Sequence, residues 1–202
     1  MIEKTLESDL VTLRRSLAVL PSPGARPVFL VVSGLPGTGK SYVSRRLAEQ
    51  LPLVVLETDS LRRALFHEPT HSATESARLF RATHALIEEL LKEGYTVLLD
   101  ATNLVESHRE RLYHIAHRLN VKQVLVSVEA PPEMVKERLA SRVAGDGGRE
   151  DRSTADWGVY TRMKPTAQPI QRPHYRVDTS QDVTPVIEKI RREVLRWTRA
   201  TG

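Results

Sequence analysis

The sequence predicts an α/β domain: a five-stranded parallel sheet with helices on both faces, preceded by one extra N-terminal helix. Three observations predict it. Short apolar, β-branched runs alternate with segments of helical periodicity along most of the chain. Three of those runs are near-continuously apolar, as strands covered on both faces must be. The octapeptide Gly34-Leu35-Pro36-Gly37-Thr38-Gly39-Lys40-Ser41 lies between the first such run and a helical segment, and a strand, a glycine loop and a helix in that order belong to this class.

The elements follow in order. Ile2, Leu6, Leu10, Leu13, Leu17 and Leu20 recur every three or four positions, which predicts an amphipathic helix over 2–20. Pro21, Pro23 and Pro27 break it. Its apolar stripe must be covered by the domain itself or by a second copy of the chain. Residues 1–26 are therefore a helix and linker, and 27–202 the main domain. Val28 to Val32 predicts strand one, Tyr42 to Gln50 a helix, and Leu53 to Leu56 strand two. Asp59 to His67 is a short helix, and 73–93 a longer one ended by Gly94. Thr96 to Leu99 predicts strand three, 105–119 a helix and Val121 to Val128 strand four. Pro131 to Arg142 starts a helix with proline where the first turn tolerates it. Residues 143–173, rich in Gly, Pro and charge, read as irregular. Tyr175 to Asp178 is a last short strand and Thr184 to Arg199 the closing helix.

Composition excludes several classes. At 202 residues the chain can bury a real core. With 40% apolar and 27% charged residues it has the balance of an ordinary soluble globule. No apolar stretch approaches the roughly 20 residues of a membrane span, and no basic region followed by an apolar run marks a leader. The absence of cysteine removes disulfides, thiolate metal sites and thiol catalysis, and it fits a cytoplasmic protein. The net charge of +5 and pI near 9.7 favour polyanionic partners, nucleic acid among them; a compositional habit of the source genome gives the same balance.

Residues 34–41 fill G-x-x-x-x-G-K-[ST], the Walker A pattern. A polyphosphate must be held without bulky side chains in the way. Glycines let the backbone curl close, so that successive N–H groups form an anion nest, and the helix start adds partial positive charge. Gly34, Pro36, Gly37, Thr38, Gly39, Lys40, Ser41 and Tyr42 are the expected ATP-binding residues. Lys40 reaches the β- and γ-phosphates and the Ser41 hydroxyl ligates Mg²⁺. Ligands of parallel sheets sit at the carboxyl ends of strands. There the chain places Asp59 and the run Asp100-Ala101-Thr102-Asn103. Asp100, ending an apolar strand, has the Walker B arrangement and is the expected metal partner.

Three further segments, in order and spacing, carry a resemblance. Asp59-Ser60-Leu61-Arg62 matches an Asp-x-x-Arg element, Asp100-Ala101-Thr102-Asn103 an Asp-x-Thr-Asn element, and Arg138 to Arg142 an Arg-x-x-x-Arg lid element. With the glycine loop they make residues 27–198 resemble the kinase domain of phage-type polynucleotide 5′-kinases. That domain belongs to the small P-loop kinases that include zeta toxins, gluconate kinases and chloramphenicol phosphotransferases. The resemblance implies a P-loop NTPase fold with an adenylate-kinase-like lid at about 138–165, and transfer of the ATP γ-phosphate to a hydroxyl with ATP and Mg²⁺ as cofactors. It implies that Asp59 takes the acceptor proton, and that Arg138 and Arg142 stabilise the transferring phosphoryl group. Arg62 then faces the acceptor, Thr102 and Asn103 either orient Asp100 or contact the acceptor, and Arg109, six residues past Asn103, is a further candidate contact. A 5′-hydroxyl of DNA or RNA is the first expected acceptor. The alternatives are a sugar, nucleotide-sugar or drug-like alcohol, and a nucleotide-switched ATPase that transfers nothing.

Local chemistry adds to this. At Asp59 a capping box would want Glu or Gln three residues on; the chain has Arg62, better suited to an anion. Arg138 and Arg142 share a helical face with no acid at the two positions a turn before Arg138, so a shared anion would relieve their repulsion. His114 and His117 share a face with Glu110 one turn earlier and read as surface or packing residues for want of a third strong ligand. Trp157, Tyr160 and Tyr175 lie among Arg152, Arg162, Lys164 and Arg172, where they stack bases of a strand or pack the lid or the adenine.

Overall fold

The elements of the computed structural model, which describes residues 2–143 and 155–199, alternate strand and helix after a leading helix. The order is α1 (Ile2–Arg15), β1 (Val28–Ser33), α2 (Lys40–Ala48), β2 (Val54–Glu57), α3 (Thr58–Leu65), α4 (Ala73–Lys92), β3 (Val97–Asp100), α5 (Glu106–Arg118), β4 (Lys122–Glu129), α6 (Pro132–Val143), α7 (Trp157–Met163), β5 (Tyr175–Asp178) and α8 (Thr184–Arg199). The sheet is parallel throughout, in the order β2-β3-β1-β4-β5. From β1 the chain crosses outward to β2, returns to β3, and then crosses β1 to reach β4. Strand order thus reverses around β1, and the crevice beyond its carboxyl end is where such sheets bind ligands.

Alternation along β1 divides the core. Val28, Leu30 and Val32 face α2 and α8, whereas Phe29 and Val31 face the layer of α1, α3, α4 and α5. All five are fully buried, which explains why the strand reads as a continuous apolar run.

The leading helix packs on its own domain. Leu13 is fully buried and Leu6, Leu10, Leu17 and Leu20 pack against the same core. Burying one leucine contributes about 1.5–3 kcal/mol. Polar ties fix the register: Asp9, itself buried, takes a forked pair from Arg78 at 2.6 and 2.8 Å, and Arg14 bonds Glu89 at 2.6 Å and Glu93 at 2.5 and 2.7 Å. Of the two ways of covering the stripe, the chain's own α4 does it. The helix stops at Arg15, short of the expected 20, because Ser16 turns back to donate its hydroxyl to the Leu13 carbonyl at 2.7 Å; the last leucines pack from extended chain.

Strand two runs one residue later than expected and ends at Glu57, and the second helix starts earlier, at Lys40. The stretch expected to be irregular contains α7. Asp156 caps it, its Oδ1 accepting from the Val159 N–H at 2.8 Å. Trp157 stacks on Tyr160 with centroids 4.7 Å apart, and both join Val135 and Leu139 of α6 in a third apolar cluster. The Tyr175 hydroxyl donates to Glu193. These three aromatics therefore pack protein rather than present free faces. Of the stretch expected to form a lid, 138–165, the structure describes the end of α6 and all of α7; residues 144–154 lie outside the described residues. No helix among the described residues is long and apolar enough to cross a membrane.

Candidate active site

The loop from Gly34 to Gly39 links β1 to α2, and two of its glycines are required by conformation. Gly37 and Gly39 have φ of +79° and +92°, in the left-handed region that L side chains avoid. A Cβ on Gly37 would also stand 2.8 Å from Val135 and 3.0 Å from Leu139, so α6 packs directly on the loop. The loop is braced from three sides. The Gly34 N–H donates to the Thr102 carbonyl at 3.1 Å, the Thr38 hydroxyl to Leu35 O at 2.8 Å, and Thr179 Oγ1 to Thr38 O at 2.7 Å. Lys40 Nζ lies across the loop, donating to Leu35 O at 3.1 Å. Among the described residues no acid occupies the first turn of α2, so its positive end is left for an anion.

A cleft of about 570 Å³ opens at the carboxyl ends of the strands, lined by the loop, by Asp59 and Arg62 of α3, and by Glu57, Asp100 and Thr102. Asp100 ends β3 and is 5% exposed. Burial pushes its carboxyl above the ordinary value. Lys40 and hydrogen bonds from Ser41 and Ser44 pull it down, Glu57 adds to the rise, and the net direction is up. Ser44 Oγ is 3.2 Å from Oδ2. A nearly buried carboxylate beside a serine hydroxyl at the loop end is a hard-oxygen donor set that a divalent cation would complete, and the pair fits Mg²⁺.

Glu57 is a residue that motif reading passed over. It ends β2 in register with Asp100, accepts from Ser60 Oγ at 3.0 Å and lines the cleft. Its signal was its place at a strand end two residues before Asp59.

Asp59 lines the cleft from the first turn of α3. Arg62 lines it too, but not as an open anion receptor. It is 8% exposed, ion-paired to Glu75, and donates to Ser76 Oγ at 3.3 Å. Burial alone would raise the Glu75 carboxyl. Hydrogen bonds from the Thr70 N–H, Arg62 and the Thr70 hydroxyl outweigh it and hold Glu75 down at about 2. The pair latches the segment before α4, whose His71 lines the cleft with φ of 55°.

Other expected residues are placed differently. Arg109 is a strut. It is 1% exposed and donates to Asn103 O at 2.6 Å, Gln168 O at 2.8 Å, Pro169 O at 2.9 Å and Glu106 at 2.6 Å, away from the cleft lining. Expected as a further acceptor contact, Arg109 is thus placed on backbone carbonyls and Glu106 and not in the cleft lining. Asn103, also expected at the acceptor, is buried, adopts φ of 44° and does not line the cleft. Thr102 does line it. Arg138 ties α6 to the loop: it donates to Thr179 Oγ1 at 2.8 Å and Thr179 O at 3.0 Å, with Gly37 O at 3.5 Å. In this arrangement it braces the loop and does not line the cleft. Arg142 lies in the last turn of α6, and its side chain is outside the described residues. Tyr42 sits in the lining, 43% exposed. His114 and His117 are exposed on α5, and the described residues hold no group of three or more His, Asp or Glu able to bind a metal.

Known proteins share this architecture. The chain is 27% identical over 120 residues to the L-seryl-tRNA(Sec) kinase of Methanococcus maripaludis, an alignment covering 57% of this chain and 46% of that one. It is 25% identical over 115 residues to the cytidylate kinase of Methanococcoides burtonii, covering 57% and 63%. The chain thus spans about half to two thirds of the length of the curated relatives it matches. The Mycobacterium tuberculosis APS kinase CysC, solved with AMPPNP and APS, superposes with a TM-score of 0.63 at 20% identity, over 85% of this chain and 98% of that one. The fold is that of the P-loop NTPases. The AAA domain family (AAA_33) matches residues 29–170, and the chain belongs to it.

Proposed function

We propose that the protein is an ATP-dependent phosphotransferase that moves the γ-phosphate of ATP to an acceptor hydroxyl, with the 5′-hydroxyl of a polynucleotide as acceptor. The observation that carries the reading is one cleft lined at once by Lys40 and Ser41 of the loop, by the buried Asp100 and by the separate carboxylate of Asp59. A nucleotide switch needs a phosphate loop and a metal carboxylate; a further carboxylate beside them suits proton removal from an alcohol.

The loop N–H groups and the start of α2 bind the phosphates, and Lys40 leaves Leu35 O for the β- and γ-oxygens. Ser41 and Asp100 would hold Mg²⁺, which supplies positive charge to the β- and γ-phosphate oxygens. Asp59 accepts the hydroxyl proton as the alcohol oxygen attacks the γ-phosphorus. The bond from that phosphorus to the β–γ bridging oxygen breaks and ADP departs. Positioning and electrostatics carry most of such a step.

For the acceptor, support comes from the net charge of +5 and from a relative whose name states action on a tRNA-borne serine. The closure of Arg62 by Glu75 favours a second reading, a small uncharged alcohol, because that guanidinium no longer offers itself to an acceptor phosphate.

Radiolabelled γ-phosphate transfer to 5′-hydroxyl DNA, RNA and small alcohols tests both readings. Labelled oligonucleotide, absent with Lys40→Ala, supports the first. Labelling of small alcohols alone moves the acceptor to the second. Phosphate released to water with every acceptor would leave only a switch.

A further inference from the structure

We infer that Arg162, with Phe80 and Met163, forms the acceptor-recognition subsite of the cleft, and that it selects an alcohol bearing both an anionic group and a ring. This rests on the phosphotransfer reading above and assigns residues that the motif set leaves out.

Four cations line the cleft among the described residues: Lys40, Arg45, Arg62 and Arg162. Lys40 belongs to the phosphate loop. Arg45 lies along α2, its Nε donating to Ser41 O at 3.4 Å. Arg62 is neutralised by Glu75. Arg162 is exposed and makes no hydrogen bond or ion pair among the described residues. Val159, Arg162 and Met163 are spaced i, i+3, i+4, so one face of α7 delivers all three to the cleft. Phe80 lines the same cleft from α4, half-buried, its ring 6.3 Å from His84 and 6.4 Å from His108.

The chemistry follows from these groups. The cleft carries three carboxylates, Glu57, Asp59 and Asp100. An anionic acceptor entering it needs an uncommitted cation, and a guanidinium grips phosphate or carboxylate with a planar fork. An aromatic ring and a thioether provide a wall for a flat ring.

The test uses two pairs of alcohols that differ only in the anion: thymidine with thymidine 3′-monophosphate, and glycerol with glycerol 3-phosphate. Thymidine 3′-monophosphate should have the highest kcat/KM of the four. Arg162→Ala should raise its KM about tenfold or more, leave thymidine and the KM for ATP unchanged, and be partly rescued by Arg162→Lys. Phe80→Ala should raise KM for both thymidine compounds and leave glycerol 3-phosphate unchanged.

Equal use of thymidine and its 3′-phosphate overturns the inference. So does transfer to none of the four by an enzyme that binds ATP. A fall in kcat of the same size for charged and uncharged acceptors in Arg162→Ala also overturns it, because that places Arg162 on the transferring phosphoryl group. An enzyme that does not bind ATP fails the phosphotransfer reading itself, and the inference falls with it.

Discussion

Replacing Arg109 with alanine separates a ligand-binding arginine from a structural one. Its guanidinium serves three backbone carbonyls, those of Asn103, Gln168 and Pro169, together with the Glu106 carboxylate, all at 2.6–2.9 Å and at a site 1% exposed. The bonds pin the exit of β3 to the segment before β5. Arg109→Ala leaves three carbonyls without that donor. Each costs about 1–3 kcal/mol if left dry, and water entering the vacated space brings each toward the lower figure. The sum is about 3–5 kcal/mol, similar to breaking a buried charged network. For a domain of this size each kcal/mol moves Tm by about 2–4 °C, so Tm should fall by about 10 °C. Arg109→Lys, which can reach fewer of the carbonyls, should fall between. Thermal and urea unfolding give the stability, and acceptor KM measured well below Tm gives the binding term. A wild-type Tm with an acceptor KM raised tenfold would refute the reasoning and return Arg109 to the acceptor.

Four more outcomes are expected. Asp59→Asn should abolish transfer while ATP still binds, and Asp100→Asn should instead raise the Mg²⁺ concentration for half-maximal rate; normal transfer by Asp59→Asn would leave that carboxylate a first-turn charge of α3 and nothing more. Gly37→Ala should cost about 2–4 kcal/mol, from a left-handed φ forced on alanine and from overpacking against Val135 and Leu139, and urea unfolding with an unchanged midpoint would contradict the close docking of α6. His84 is held down at about 4 by burial, with Arg111 and His108 adding to the effect. Its neutral form is the folded one, so the stability it contributes is complete above its ordinary value of 6.5 and declines as pH falls toward 4. His84→Gln should flatten that slope in urea midpoints measured between pH 7 and 4.

The sheet, the phosphate loop, Asp100 at the end of β3 and Asp59 just past β2 were legible because each is local. A continuous apolar run, a glycine spacing and a carboxylate closing a strand are all read within ten residues. What depends on partners distant in the chain was not. Arg62 looks like an anion receptor until Glu75, thirteen residues on, folds against it. Arg109 has one partner a local reading offers, Glu106 three residues before it, but its carbonyls at 168–169 and the Arg138 partner at 179 come from other elements. Glu57 gains meaning only once β2 is known to lie beside β3, which brings it into register with Asp100. The helix carrying Arg162 was masked by its Gly- and Pro-rich surroundings, although Asp156 followed by Trp157, Gly158 and Val159 is a start signal that a search for caps would have found.

The central claim is that the γ-phosphate goes to an alcohol and not to water. It is tested most directly by following the label of γ-labelled ATP into either inorganic phosphate or a 5′-hydroxyl oligonucleotide, with wild type and Asp59→Asn side by side. The account predicts that wild type puts most of the label on the oligonucleotide, and that Asp59→Asn loses that product while still binding ATP. Label appearing only as inorganic phosphate, at the same rate with and without any alcohol and unchanged by Asp59→Asn, would contradict it.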